Sequence, residues 1–276
     1  MSSRHIVKDV LHKITQELKE SIPRASREAQ LLLMHHLNVD ELWLLMNQDK
    51  EVKEIEKLFD WVERRSKNEP FEYIVGSVSF YSQEFYIDSG ALIPRPETEL
   101  LIDEVLKNIE DKNSTLTIVE VGVGSGIISI ILAKSLPNAK FIAVDISQAA
   151  LGVARKNIEK FALEDRIELR HGSLLEPIKE KIDYLVSNPP YIADDASLES
   201  NLSYEPQNAL FGGSVGDEII KELLDGVLRG KINSFSCEMG YDQKDKIQNY
   251  LNTKPHESLL FYKDYSDFDR GFTLRL

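Results

Sequence analysis

Leu116-Thr-Ile-Val-Glu-Val-Gly-Val-Gly-Ser-Gly126 is an apolar run that breaks into three alternating glycines. Thr117, Ile118, Val119 and Val121 are β-branched and predict a strand with little polar surface. Gly122, Gly124 and Gly126 then allow a tight turn and a close backbone approach to a ligand, and Gly126 to Leu136 follows as a helix. The next strand, Lys140-Phe-Ile-Ala-Val-Asp-Ile146, ends at Asp145, where an acid accepts hydrogen bonds from ribose hydroxyls in nucleotide-binding sheets. The same carboxylate also suits the N-cap of the helix predicted over Gln148 to Phe161. The G-x-G-x-G spacing differs from the dinucleotide G-x-G-x-x-G. Loop and acid together point to an adenosine-bearing ligand and leave its identity open.

Outward from this unit the alternation continues. Residues 166–172 (RIELRHG), 183–190 (DYLVSNPP) and 232–240 (INSFSCEMG) read as further strands, with helical or loop segments between them. Residues 259–265 (LLFYKDY) and 271–276 (GFTLRL) are spaced like a terminal antiparallel pair. Strand–helix alternation of this kind predicts an α/β fold, a mostly parallel sheet with helices on both faces.

Upstream the pattern is helical. Ile6, Val10, Ile14 and Leu18 form one stripe, Pro23 and Ser26 open a second helix, Asp40 is a candidate N-cap, and Val52 to Val62 carries another apolar face. Trp43 and Trp61 read as core on these faces. Residues 1–70 are therefore expected to form a small helical bundle. The aromatic and β-branched stretch from Phe71, with a polar turn at Ser82-Gln83, predicts a β-hairpin connector over 71–90, and residues 91–276 form the α/β domain.

Composition narrows the function. The formal charge is −13, with 12 basic against 13 acidic residues in 1–70 and 21 against 33 in the remainder. So acidic an α/β region does not suit a protein that grips long nucleic acid through phosphates, and no direct nucleic-acid binding is expected. Cys237 is the only cysteine, so no intrachain disulfide or thiolate cluster is possible. It reads as a packed core residue. The histidines at 5, 12, 35, 36, 171 and 256 lack metal-ligand spacing, and no metal is expected. Residues 1–20 carry close-set acids and bases and no apolar leader, and the apolar stretch 118–133 is broken by Glu120 and three glycines. A soluble, cytoplasmic monomer without membrane attachment is the expectation.

Asn188-Pro-Pro-Tyr191, at the end of an apolar strand, carries the chemistry. Each X-Pro bond pushes the preceding residue to extended geometry, and the two prolines supply no local N–H to compete for carbonyls. The loop is stiff and presents the Asn188 amide, the Pro189 carbonyl and the Tyr191 ring together. Two such acceptors suit a planar nitrogen bearing two N–H groups, held in line with an electrophilic methyl group.

These residues carry a resemblance. VEVGVGSG, the strand ending at Asp145 and SNPPY resemble a Rossmann-like class I S-adenosylmethionine-dependent methyltransferase. EPFEYIVGSVSFYSQEFYI, LIPRPETELL, DISQAALGVARKN, GSLLEP, YEPQNALFGG and EMGYDQ narrow this to the peptide chain release factor glutamine N5-methyltransferases, the PrmC/HemK family. The resemblance runs over nearly the whole chain. It implies methyl transfer from S-adenosyl-L-methionine, leaving S-adenosyl-L-homocysteine, to the glutamine of the Gly-Gly-Gln motif in class I peptide chain release factors, with the helical domain helping to dock that partner.

It further implies that Gly122, Val123, Gly124, Ser125 and Gly126 cradle the methionine portion, that Asp145 binds ribose and that Leu174 lies beside adenine. Asn188 would contact both cofactor and substrate, with Pro189, Pro190 and Tyr191 completing the glutamine pocket. Arg95, Pro96 and Glu97 would line the site, Arg95 and Glu97 being equally suited to a structural ion pair. Glu120 and Val123 depart mildly from the family's usual Asp and Thr, Leu174 stands at a position that is often aromatic, and GGSVGDEII is a less usual form of the loop after ALFGG. Alternatives are methylation of a ribosomal-protein glutamine, adenine-N6 methylation of DNA or RNA, and a cofactor-binding regulator without turnover.

Overall fold

The computed structural model describes residues 5–197, 200–230 and 232–276; residues 1–4, part of the stretch read above for a leader, lie outside it. The chain divides into two compact units, one ending at Gly76 and one starting at Ser77, with the turn Ser200–Tyr204 returning to the first.

The first unit contains five helices among its described residues: α1 (Val7–Leu18), α2 (Ala25–Leu37), α3 (Glu41–Met46), α4 (Ile55–Ser66) and α5 (Phe71–Val75). Its core gathers Val10, Ile14 and Leu18 of α1 with Leu32 and Leu33 of α2 and Leu58 and Val62 of α4. Each such side chain, fully withdrawn from water, contributes about 1.5–3 kcal/mol. The stripe on α1 starts at Val7, because Ile6 is the N-cap and bridges to Glu51. The Asp40 side chain does cap α3, accepting from the Trp43 N–H at 2.7 Å. Trp61 is buried, whereas Trp43 is only half-buried.

The hairpin is shorter than the composition suggested. Phe71–Val75 is helical, framed by Pro70 at its N-cap and by Gly76 in the left-handed region at its C-terminus, which are helix boundaries that override the β-rich composition. The strands are β1 (Ser77–Phe80) and β2 (Gln83–Tyr86). They turn at Tyr81 and Ser82, both at positive φ, the backbone that matches the twist of a two-residue hairpin.

The second unit continues through α6 (Thr98–Asn108), β3 (Thr117–Val121), α7 (Ile127–Ser135), β4 (Lys140–Asp145), α8 (Gln148–Lys160), β5 (Ile167–His171), β6 (Tyr184–Ser187), β7 (Ile192–Ala193) and β8 (Phe211–Gly213). It closes with α9 (Glu218–Gly230), β9 (Ser234–Glu238), α10 (Lys244–Leu251), β10 (Ser258–Lys263) and β11 (Asp269–Arg275). Seven strands form one sheet in the order β10-β11-β9-β6-β3-β4-β5; β11 runs antiparallel to both its neighbours and the rest are parallel. Successive residues of a strand face opposite sides. Ile118 accordingly joins the core beneath α6, α7 and the hairpin, and Val119 joins the core beneath α9 and α10. Among the described residues no helix is long and apolar enough to cross a membrane.

The strand order reverses at the β3/β6 boundary: β4 and β5 extend one way from β3, β6 and β9 the other. Ligands of open α/β sheets bind at such a switch point, outside the carboxyl ends of the strands. Gly122 follows β3 and Asn188 follows β6, so both motifs emerge there.

Candidate active site

A cleft opens at that switch point, with an empty volume, open solvent included, of about 1170 Å³. One wall is backbone. The Gly122 and Val123 N–H groups both donate to the Val144 carbonyl, and the Gly126 N–H donates to Val123. Gly122, Gly124 and Gly126 all have positive φ, and a Cβ on Gly126 would meet Ala154 of α8 at 3.3 Å. This glycine thus satisfies a left-handed turn and a close approach at once.

Asp145 ties the loop down. Its Oδ2 accepts from the Gly124 N–H at 2.9 Å and its Oδ1 from the Ser147 N–H at 2.8 Å. A carboxylate offers about four lone-pair sites, so capacity remains for further hydroxyl donors. Burial pushes its pKa up. The cap of α8 is the Ser147 side chain, and Asp145 orders the turn before it. Buried Asn157 of α8 clamps the loop from outside, donating to the Ser125 carbonyl at 2.8 Å and exchanging two hydrogen bonds with the Tyr86 backbone.

Glu120 lines the cleft and is almost wholly buried. Its Oε2 accepts from the Ser129 N–H and hydroxyl, while Oε1 has no hydrogen-bond partner among the described residues. Burial pushes its carboxyl up to about 8. Leu174, also on the cleft, holds φ +48, a left-handed backbone uncommon outside glycine.

The opposite wall is made of side chains. Asn188, half-buried, donates from Nδ2 to Thr98 Oγ1 at 3.1 Å. Thr98, at the start of α6, donates to Oε2 of Glu238 at 2.8 Å, and the Tyr191 hydroxyl donates to Oε1 of the same carboxylate at 3.2 Å. Glu238 ends β9 and is 1% exposed. Burial raises its carboxyl to about 7, against the lowering influence of Thr98, Arg270 and Tyr191. Gln243 holds the loop beyond, donating to the Tyr191 and Gly216 carbonyls at 3.0 Å each. Pro189 and Pro190 line the cleft, while the Tyr191 hydroxyl is turned to Glu238.

Arg95 lines the cleft too, and its ion-pair partner is Glu205, at 2.6 Å. Glu205 also accepts from the Ile93 N–H at 3.1 Å. One buried acid therefore joins the PRPETE loop to the YEPQN segment. Pro96 is exposed and neither it nor Glu97 is among the lining residues, whereas Pro94 and Thr98 are.

Residues 9–76 match the PrmC N-terminal domain family and residues 96–210 the methyltransferase small domain family. The chain is 39% identical to the release factor glutamine methyltransferase of Clostridium botulinum, over 98% of this chain and 99% of that protein. It is 40% identical to the enzyme of the same name from Dictyoglomus turgidum, over 96% of each. The chain belongs to the release factor glutamine methyltransferase family. Among solved structures, the methyltransferase aligns with the catalytic domain of human METTL16 at a TM-score of 0.59, covering 69% of this chain and 74% of that one at 17% identity. That likeness is one of fold.

In this methyltransferase the glycine loop and Asn188, both singled out in the sequence, line the cleft. Thr98, Glu238, Asn157 and Glu205 were not assigned roles, though each lies within a quoted motif. The available signal was polar residues closing apolar runs, such as Glu238 after SFSC.

Proposed function

We propose that this enzyme transfers a methyl group from S-adenosylmethionine to the side-chain amide nitrogen of the glutamine in the Gly-Gly-Gln motif of class I release factors. The observation that carries the reading is the meeting of the Gly122 loop with Asn188 at the switch point. A Cβ on Gly122 would stand 3.7 Å from the Asn188 carbonyl oxygen, so a cofactor held by the first lies beside a substrate held by the second.

The chain's residues fit that cofactor. The glycine wall from Gly122 to Gly126 offers backbone without side chains, and a Cβ on Gly124 would meet no protein atom within 4 Å. The free Oε1 of Glu120 is a buried acceptor suited to the ammonium of a methionine moiety. Asp145 keeps acceptor capacity for ribose hydroxyls, and Leu174, held at its left-handed backbone, gives adenine an apolar face.

When bound, S-adenosylmethionine supplies an electrophilic methyl group. The chain's own work is to orient the acceptor nitrogen. Among the described residues Asn188 spends Nδ2 on Thr98, leaving Oδ1 to accept one substrate N–H, and the Pro189 carbonyl accepts the other. Both acceptors stabilise positive charge growing on the nitrogen, whose surplus proton then leaves to solvent. Pro190 and Tyr191 complete the glutamine pocket, and Arg95, fixed by Glu205, borders its entrance.

The helical unit helps dock the release factor, and the enzyme works as a cytoplasmic monomer. A net charge of −12 over residues 71–276 disfavours a polyanionic substrate. Incubation with S-adenosylmethionine and a class I release factor, followed by peptide mass spectrometry, tests the reading. A methyl on the Gly-Gly-Gln glutamine that disappears with Asn188→Ala upholds it. A methyl found only on a ribosomal-protein glutamine or on adenine overturns it.

A further inference from the structure

A primary amide can meet its neighbour with either end, and catalysis here needs one of them. Asn188 must face the substrate with Oδ1; with Nδ2 in that place it would oppose N–H to N–H. What selects the end is the run of hydrogen bonds behind it. The Glu238 carboxylate, when ionised, only accepts. Thr98 has a single hydroxyl proton and gives it to Glu238 Oε2. Thr98 Oγ1 is left as an acceptor, so only the Nδ2 end of Asn188 can meet it.

We propose that Thr98 and Glu238 are positioning residues of the methyl transfer, a two-step relay that fixes the Asn188 amide with Oδ1 toward the substrate nitrogen. This rests on the reading of Asn188 Oδ1 as the acceptor of the substrate amide proton.

The relay is reversible by one proton. Oε1 of Glu238 is occupied by the Tyr191 hydroxyl, which burial keeps protonated, so a proton arriving on Glu238 sits on Oε2. Glu238 then donates to Thr98, Thr98 donates onward, and the onward acceptor is Oδ1 of a reversed Asn188. The groups that face Glu238 define when this occurs. Arg270 on β11 favours the carboxylate, and Glu97 beside Thr98 disfavours it. Cys237 on its own strand and Tyr262 on β10 are both held protonated by burial and contribute no charge. Burial dominates, and the carboxyl is lifted to about 7. Turnover is therefore supported above that pH and lost as Glu238 is protonated below it.

The test uses the full chain with a class I release factor, across roughly pH 6 to 8. Thr98→Val, which removes the hydroxyl and keeps the shape, is expected to lower kcat by about tenfold or more while KM and cofactor affinity stay within about twofold. Thr98→Ser restores most of the rate. The unmodified enzyme loses kcat below about pH 7, and Glu238→Gln, which cannot ionise, has no such acidic limb. Cofactor affinity confirms that each variant is folded.

A Thr98→Val enzyme at full rate, or a Glu238→Gln enzyme that keeps the acidic limb, overturns the relay. A second readout needs no substrate: with selectively labelled asparagine, the Asn188 side-chain amide resonance should titrate with Glu238 and lie flat in Glu238→Gln. A resonance that does not titrate in the unmodified chain also overturns the relay. A chain that methylates no release factor yet shows the titrating amide fails the substrate reading and upholds the positioning one.

Discussion

The two walls of the cleft are made from different materials. After β3 the groups that matter are backbone N–H and carbonyl atoms, fixed by positive-φ glycines and clamped by Asp145 and Asn157. After β6, apart from the Pro189 carbonyl, they are side-chain atoms, Asn188 on Thr98 on Glu238, with Glu238 arriving from a strand late in the chain. A backbone wall tolerates changes of side chain as long as φ is kept, which suits a ligand that never varies. A side-chain wall responds to the loss of single atoms and to single protons, and it belongs where bonds change.

Perturbing one wall at a time separates these behaviours. The largest effect is expected from Asn188→Ala. Removing a group that stabilises developing charge costs about 100- to 1000-fold in kcat, with cofactor affinity, measured by calorimetry, within about twofold. A variant with near-normal rate would remove the distinction altogether. Next is Gly126→Ala, which forces an L side chain to φ +84 and against Ala154. A strain of about 1–3 kcal/mol should appear as weakened cofactor binding and a lower Tm, with kcat at saturating cofactor nearly retained; the opposite split would mean that this wall, too, acts in the chemistry.

Glu120→Gln sharpens the contrast within the backbone wall. The carboxyl is raised to about 8 in the fold, above about 4.3 for an unfolded glutamate. The native state therefore keeps a proton that the unfolded chain releases, and stability falls as pH rises through that window. Glutamine avoids this, so the variant's Tm advantage should grow from about pH 5 to about pH 8, while cofactor binding weakens by about tenfold because glutamine cannot give up a proton to pair with the cofactor's ammonium. Equal Tm differences at both pH values would contradict the assigned burial. The smallest effect is expected from Cys237→Ala, beneath both walls: a loss of about 1 kcal/mol from packing, read by denaturant titration, with kcat unchanged. A large loss of rate would make Cys237 more than core.

What the sequence disclosed followed from how local each feature is. The α1 stripe, the Asp40 cap, the glycine turn and the Asn-Pro-Pro loop are decided by neighbours within a few residues, and all were readable. The start of the hairpin was not, because Pro70 and Gly76 impose a helical turn on residues whose composition favours strand. The relay behind Asn188 was hidden for another reason. Thr98 and Glu238 are 140 positions apart, and nothing short of the sheet order brings them together. Glu205 shows the same limit. Arg95 and Glu97 were read as equally suited to a structural ion pair, and the ion-pair partner of Arg95 came instead from a segment 110 residues away.

The order of the strands also bears on how the molecule is made. β11 is an interior strand, paired on one side with β9 and on the other with β10, and its Gly271 stands in register with Glu238. A nascent chain that has not yet delivered residues 269–275 leaves the edge of β9 unpaired, and leaves Glu238 at the end of that strand without the Arg270 charge that favours its carboxylate. Such an edge is a template for wrong pairing. The last interior strand of the sheet is thus also the last to be made, and until β11 arrives the β9 edge stays open to such pairing.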